Sequence, residues 1–162
     1  MGSGKTEVGK RLAKRLGYTF IDTDLLIEEK TGKSISEIFS RDGELFFRDI
    51  ETLILKELTG INKHVISTGG GIVTREENIL HLRKIGFIIW LKASPETIFI
   101  RVNTETHRPL LKVDNPLEQI KRLMSQREQS YSEADLIIDT DGLEVDDIVE
   151  VIISKIEVRS KK

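Results

Sequence analysis

The chain has 162 residues, a formal net charge of −2, 38% hydrophobic and 32% charged residues, and no cysteine. This balance supports one compact core rather than disorder, excludes disulfides and thiolate metal sites, and offers no global basic field for nucleic acid. No apolar run approaches the ~20 residues of a membrane span, and the N-terminus lacks a signal-peptide core, so no membrane partner is expected and a reducing cytoplasm is the expected setting.

The chain opens Gly2-Ser3-Gly4-Lys5-Thr6. Residues 5–16 follow as an amphipathic helix, with Val8, Leu12, Ala13 and Leu16 on one side and Lys10, Arg11, Lys14 and Arg15 on the other. Gly17 sits where a C-cap glycine belongs. Residues 18–22 read as a short strand, and Thr23 as the cap of a helix that Gly32 stops. Ser34 or Ser36 opens another helical piece. Residues 44–58 form a longer helix, with Phe47, Ile50, Ile54 and Leu58 along one stripe. Residues 64–68 read as a buried strand and lead straight into Gly69-Gly70-Gly71. Thr74-Arg75-Glu76-Glu77 has the capping-box pattern that starts a helix. Residues 87–91 are continuously apolar and read as a strand covered on both faces, with Trp90 in the core. Ser94-Pro95 supplies an N-cap and a proline at the first helical position. Residues 104–114 lack a periodic pattern and read as a mobile loop. A helix from Asn115-Pro116 to about Tyr131, a strand over 136–140 and a helix over 144–158 complete the chain.

Strands alternate with helices throughout, which implies a single α/β domain over 1–162 with a mainly parallel sheet. Ligands of such a sheet bind at the carboxyl ends of its strands. Asp22, Asp24 and the three glycines fall there.

Gly2, Ser3, Gly4, Lys5 and Thr6 match the end of a phosphate-binding loop. Glycines let backbone N–H groups turn toward phosphate, the lysine reaches the terminal phosphates, and the hydroxyl ligates Mg²⁺. The first glycine of the full pattern would lie before Met1. Asp22 and Asp24 flank Thr23: one carboxylate can support a metal, the other can orient or deprotonate an acceptor hydroxyl, or they serve as a helix cap beside a solvated charge. Arg48 has Glu51 three residues on, either as a surface ion pair or as a guanidinium held in a pocket. Arg127 near a helix end is either a surface charge that compensates the helix dipole or a second arginine of the pocket. Two convergent arginines would suit a carboxylate, because the planar fork binds it bidentately. Gly69, Gly70 and Gly71 are costly to order, and close approach to a ligand would justify them. Arg108, in the loop, can close on a transferring phosphate, with Arg101 assisting. His64, His81 and His107 share no metal-ligand spacing.

Together these stretches resemble the shikimate kinases. "FIDTDLLIEEKTGKSISEIFSRDGELFFRDIE", "VISTGGGIV", "RPLL" and "REQSYSEADLIIDT" occur in the order that family uses. The resemblance implies a P-loop kinase-like three-layer sandwich and transfer of the ATP γ-phosphate to the 3-hydroxyl of shikimate, with Mg²⁺, by a monomer. It implies that Lys5 holds the phosphates, Thr6 and Asp22 serve the metal, and Asp24 binds shikimate and acts as base. Arg48, Arg127 and Gly69 to Gly71 would hold the acceptor, within an acceptor-binding region at about 23–60. Arg101 and Arg108 would serve the nucleotide side, the latter on a lid at about 104–114. Phe39 and Phe47 would wall the pocket, and the adenine segment would lie near Asp141. The family's first strand has no counterpart here, so Met1 is expected to be an internal methionine of a longer frame. A kinase for another hydroxylated acceptor and a truncated paralogue with impaired ATP binding are the alternatives.

Overall fold

The computed structural model describes residues 2–102 and 114–160, with side chains through residue 158. Helix α1 (Lys5–Leu16) leads to strand β1 (Thr19–Asp22), helices α2 (Thr23–Thr31), α3 (Ile35–Arg41) and α4 (Gly43–Leu58), and strand β2 (His64–Ser67). A 3-10 turn (Ile72–Thr74), α5 (Glu76–Ile85), β3 (Ile89–Lys92), α6 (Pro95–Val102), α7 (Pro116–Tyr131), β4 (Leu136–Asp139) and α8 (Val145–Ser160) follow.

Local chemistry accounts for many of the boundaries. Gly17 and Gly32 end α1 and α2 in the left-handed conformation, at φ 66° and 64°. Ser34 and Glu37 form a reciprocal capping box on α3. Asn115 caps α7 through the Glu118 N–H, with Pro116 at the first position. Two expected caps are different. Asp22, not Thr23, caps α2 by accepting the Asp24 N–H at 3.0 Å, while Thr23 is buried. Thr74 does not cap α5, because its hydroxyl donates to the Gly71 carbonyl at 2.7 Å; Arg75 occupies the cap position without a side-chain capping bond.

All strand pairing is parallel, as expected, but it forms two half-sheets. β1 pairs with β2 from Thr19 opposite His64 to Asp22 opposite Ser67, and β3 with β4 from Ile89 opposite Leu136 to Lys92 opposite Asp139. Among the described residues no ladder joins β2 to β3. A cavity of about 440 Å³ is lined by both half-sheets, with Ile66 from one and Ile89 and Leu91 from the other. The open edge corrects the expectation of fully buried strands: in β2 only Ser67 is buried, and in β3 only Leu91. Trp90 is likewise half-buried rather than core.

Three layers result. Val8, Leu12, Leu91, Ile138, Ile148, Val149 and Ile152 join α1 and α8 to one face of the sheets. Ile27, Ile38, Phe47, Ile54 and Leu58 pack α2, α3 and α4, with Ile21 and Ile66, on the other. Each such side chain contributes about 1.5–3 kcal/mol when fully buried. Gly9 allows α1 to lie close against β1, since a Cβ there would meet the Phe20 ring at 2.6 Å. Ala93, Ile98, Val102 and Ile120 unite α6 with α7.

Candidate active site

The site forms where β1, β2 and α1 meet. Gly2 has φ 59°, and a Cβ there would lie 2.7 Å from Val102, so the loop tucks against α6. Gly4 stands ahead of α1 at φ 82°, leaving the first N–H groups of the helix without a side-chain cap. Such a helix start, with its positive dipole end and no side-chain cap, favours an anion. Ser3 is buried and Lys5 half-buried, and both line the cavity. The Thr6 hydroxyl donates to Asp22 Oδ2 at 3.2 Å. Arg101 reaches the Gly2 carbonyl at 3.5 Å, which places it beside the phosphate loop.

On the other side, Asp24 follows from the first turn of α2. Because Asp22 and Ser67 end their strands level, Asp24 faces the turn after β2. A Cβ on Gly69 would stand 2.9 Å from Asp24 Oδ1 and 3.0 Å from Glu51 Oε1. A Cβ on Gly71 would fall within 2.4 Å of the Arg48 guanidinium nitrogens. Neither glycine has a positive φ, so close approach rather than backbone freedom demands them. The close neighbours that demand these two glycines are side chains of α2 and α4, rather than the ligand expected from the sequence.

Arg48 and Glu51 leave the same face of α4 and are both buried. Arg48 Nη1 donates to Glu51 Oε2 at 2.6 Å, and Nη2 donates to Glu44 at 2.9 Å. Glu44 is a second partner with no mark in the sequence beyond its i,i+4 spacing. Burial pushes the Glu51 carboxyl up to about 7, opposed by Arg48 and reinforced by Asp24. Its Oε1 accepts no hydrogen bond, which leaves an acceptor aimed at Gly69. Burial works against the charge on Arg48, but its two carboxylates more than offset this and raise its pKa. Arg127 is buried on α7, lines the cavity and contributes to the field at Glu51, so it is not a surface charge.

Sequence reading misses the supports behind these groups. The buried Asn78 accepts from Thr52 on α4 at 2.8 Å and donates to the Ile72 carbonyl at 2.9 Å, which pins the 3-10 turn to the helix carrying Arg48. Arg75 clasps Asp49 at 2.7 Å on the same helix. The spacing of Asn78 from Thr52 carries no local signal. Asp141 accepts the Ser94 N–H at 3.1 Å, and hydrogen bonds from Ser94 and Thr97 lower its pKa. Phe39 and Phe47 pack with ring centroids 4.8 Å apart, and the Phe47 ring lies 5.2 Å beneath Arg48. Arg108 and most of the expected lid lie outside the described residues. Among those described, no cluster of three or more His, Asp or Glu side chains could hold a metal by itself, and no helix is long and apolar enough to cross a membrane.

A glycine loop at a helix start facing a carboxylate and two buried arginines suits a small-molecule kinase, and known proteins resemble this chain along nearly its whole length. The family model for shikimate kinase matches residues 1–157. The shikimate kinase of Thermodesulfovibrio yellowstonii is 50% identical over 157 residues, covering 97% of this chain and 91% of that protein. The shikimate kinase of Geobacter sulfurreducens is 48% identical, covering 92% and 82%. Among solved structures, the shikimate kinase of Acinetobacter baumannii in complex with shikimate superposes with TM-score 0.96 at 38% identity, covering all of this chain and 91% of that one. The enzyme of Aquifex aeolicus superposes with TM-score 0.85 at 34% identity, covering 99% and 94%. The sequence motifs and the fold thus agree, and the chain belongs to the shikimate kinase family.

Proposed function

We infer that this kinase transfers the γ-phosphate of ATP to the 3-hydroxyl of shikimate, giving shikimate 3-phosphate and ADP. The observation that carries the reading is the pair of buried arginines, Arg48 and Arg127, beside a glycine turn that presses against Asp24. Two guanidinium groups held in a partly dry site suit the carboxylate of a small hydroxy acid. Asp24 then stands where an acceptor hydroxyl would be oriented.

In this reading Lys5 and the N–H groups of Gly2, Ser3 and Gly4 hold the β/γ-phosphates at the start of α1, and Arg101 steadies the loop from α6. Asp24 takes the proton of the 3-hydroxyl as its oxygen bonds to phosphorus and the bond to the ADP oxygen breaks. Positioning and charge stabilisation supply most of the rate, because the protein forms no covalent bond. Arg108 is assigned to the nucleotide side on the resemblance alone.

The residues also fit Mg²⁺. The Thr6 hydroxyl and the Asp22 carboxylate lie 3.2 Å apart at the mouth of the loop, one neutral and one anionic hard oxygen donor. When bound with ATP, the ion neutralises charge on the phosphates. So few protein donors suit an ion that keeps waters and phosphate oxygens as its other ligands.

The test is ADP release from ATP and Mg²⁺ with and without shikimate, with the product identified by mass spectrometry. Shikimate-dependent release and a phosphorylated product are expected. Release that depends on a different hydroxylated acceptor, with none for shikimate, would refute the acceptor assignment.

A further inference from the structure

Tyr131 has no role in the account so far, yet it touches both halves of the molecule. It ends α7 four residues after Arg127, so the two side chains leave the same helix face. Its phenol donates to the Gly70 carbonyl at 2.5 Å, across 61 residues of chain. Its ring stacks on Trp90 of β3, with centroids 5.2 Å apart and planes inclined by 28°. One side chain therefore ties the middle glycine of the acceptor turn, at the end of one half-sheet, to a strand of the other.

The Gly70 carbonyl and the Gly71 N–H belong to one planar peptide unit and point in opposite directions. Holding the carbonyl fixes where the N–H points. A glycine run needs such a clamp, because its peptide planes turn more freely than those of other residues. The phenol must be protonated to donate. Burial keeps it so, raising its pKa against the opposing fields of Arg127 and Arg48.

We propose that Tyr131 is a positioning residue for the acceptor: it sets the Gly70–Gly71 peptide plane in the binding turn and transmits acceptor binding to Trp90. The proposal rests on the shikimate assignment above.

Trp90 is the single tryptophan of the chain, so intrinsic fluorescence reads this contact directly. Tyr131→Phe keeps the stacked ring and removes only the hydroxyl. In the variant, the Kd for shikimate measured calorimetrically without ATP should rise about tenfold, the loss typical of one hydrogen bond. The KM for shikimate should rise in step, while kcat and the KM for ATP stay within about twofold. In the wild-type protein shikimate should change the Trp90 emission saturably, and in Tyr131→Phe the amplitude should fall by about half or more. A wild-type shikimate affinity in Tyr131→Phe would overturn the positioning role and leave the acceptor assignment standing. So would equal rises in both KM values together with a lowered Tm, since that pattern marks a merely structural role. A wild-type emission unmoved by saturating shikimate would overturn the link to Trp90. A wild-type protein that binds no shikimate would overturn both the proposal and the assignment beneath it.

Discussion

Glu51 Oε2 lies 2.6 Å from Arg48 Nη1, with the two side chains 0% and 8% exposed. The pair shares one helix face, with the glycine turn at 69–71 against it. Removing Arg48 takes away the only cation hydrogen-bonded to the buried Glu51 in this pair, whereas Arg48 without Glu51 would still hold Glu44; breaking a buried pair at one partner typically costs about 3–5 kcal/mol. Arg48→Ala should therefore lower the urea midpoint as well as abolish tight shikimate binding. Arg48→Lys separates the two effects. It keeps the positive charge but not the planar fork, so stability should largely recover while the KM for shikimate stays roughly 10- to 100-fold high, about 1.4–2.7 kcal/mol of lost binding. Urea unfolding and steady-state kinetics on both variants check this, and a normal KM in Arg48→Lys would remove the bidentate role.

The pH dependence of stability should carry the mark of Glu51. Its folded pKa is about 7 against an ordinary 4.5. Between those values the folded chain holds a proton that the unfolded chain has released. Stability from this group is thus fully present below about 4.5, falls as pH rises to about 7 and is level above, a change of about 3 kcal/mol. Arg48, Arg127, Asp24 and Tyr131 all bear on the group and stay in place in Glu51→Gln. The wild-type stability minus that of Glu51→Gln, from urea unfolding at several pH values, should therefore decline across this window. A flat or rising difference would show that Arg48 keeps Glu51 ionised.

Gly71→Ala tests the close approach between the glycine turn and Arg48. Gly71 has φ −89°, which alanine adopts without strain, but its new methyl would stand 2.4 Å from Arg48 Nη1 and Nη2. The guanidinium must shift. Shikimate affinity should fall about tenfold or more, since misplacing a positioning group by about 1 Å can cost 10²-fold, with Tm changed by only a few degrees. Gly86→Ala is the matched control, because a Cβ there meets nothing within 4 Å. Calorimetric titration of both variants decides the matter, and equal affinities would mean that Arg48 does not need its present place.

Asp24→Asn should lower kcat by about 10²–10⁴, the usual contribution of a general base, while shikimate Kd changes only several-fold. Single-turnover kinetics with saturating ATP and shikimate measure the chemical step directly. An active Asp24→Asn enzyme would refute the assignment of Asp24 as base.

Part of this protein was decided by the sequence alone, because some interactions span only a few residues. Ser34 with Glu37, Asn115 with Glu118, and the glycines at 17 and 32 set helix ends through local hydrogen bonds and backbone freedom. The alternation of strands and helices sets the layered fold, and the ordered motifs carry the family. Local rules reached their limit even one residue away: Asp22 took the cap expected of Thr23, which packing buried instead. The same rules could not choose between a surface ion pair and a buried one for Arg48 and Glu51, nor between surface and site for Arg127. Those choices belong to tertiary structure, since burial depends on which distant segment covers a helix face. So do Asn78 on Thr52 of the long helix and Tyr131 on Gly70. Each joins residues far apart in the chain, where no short-range pattern in the sequence records the contact.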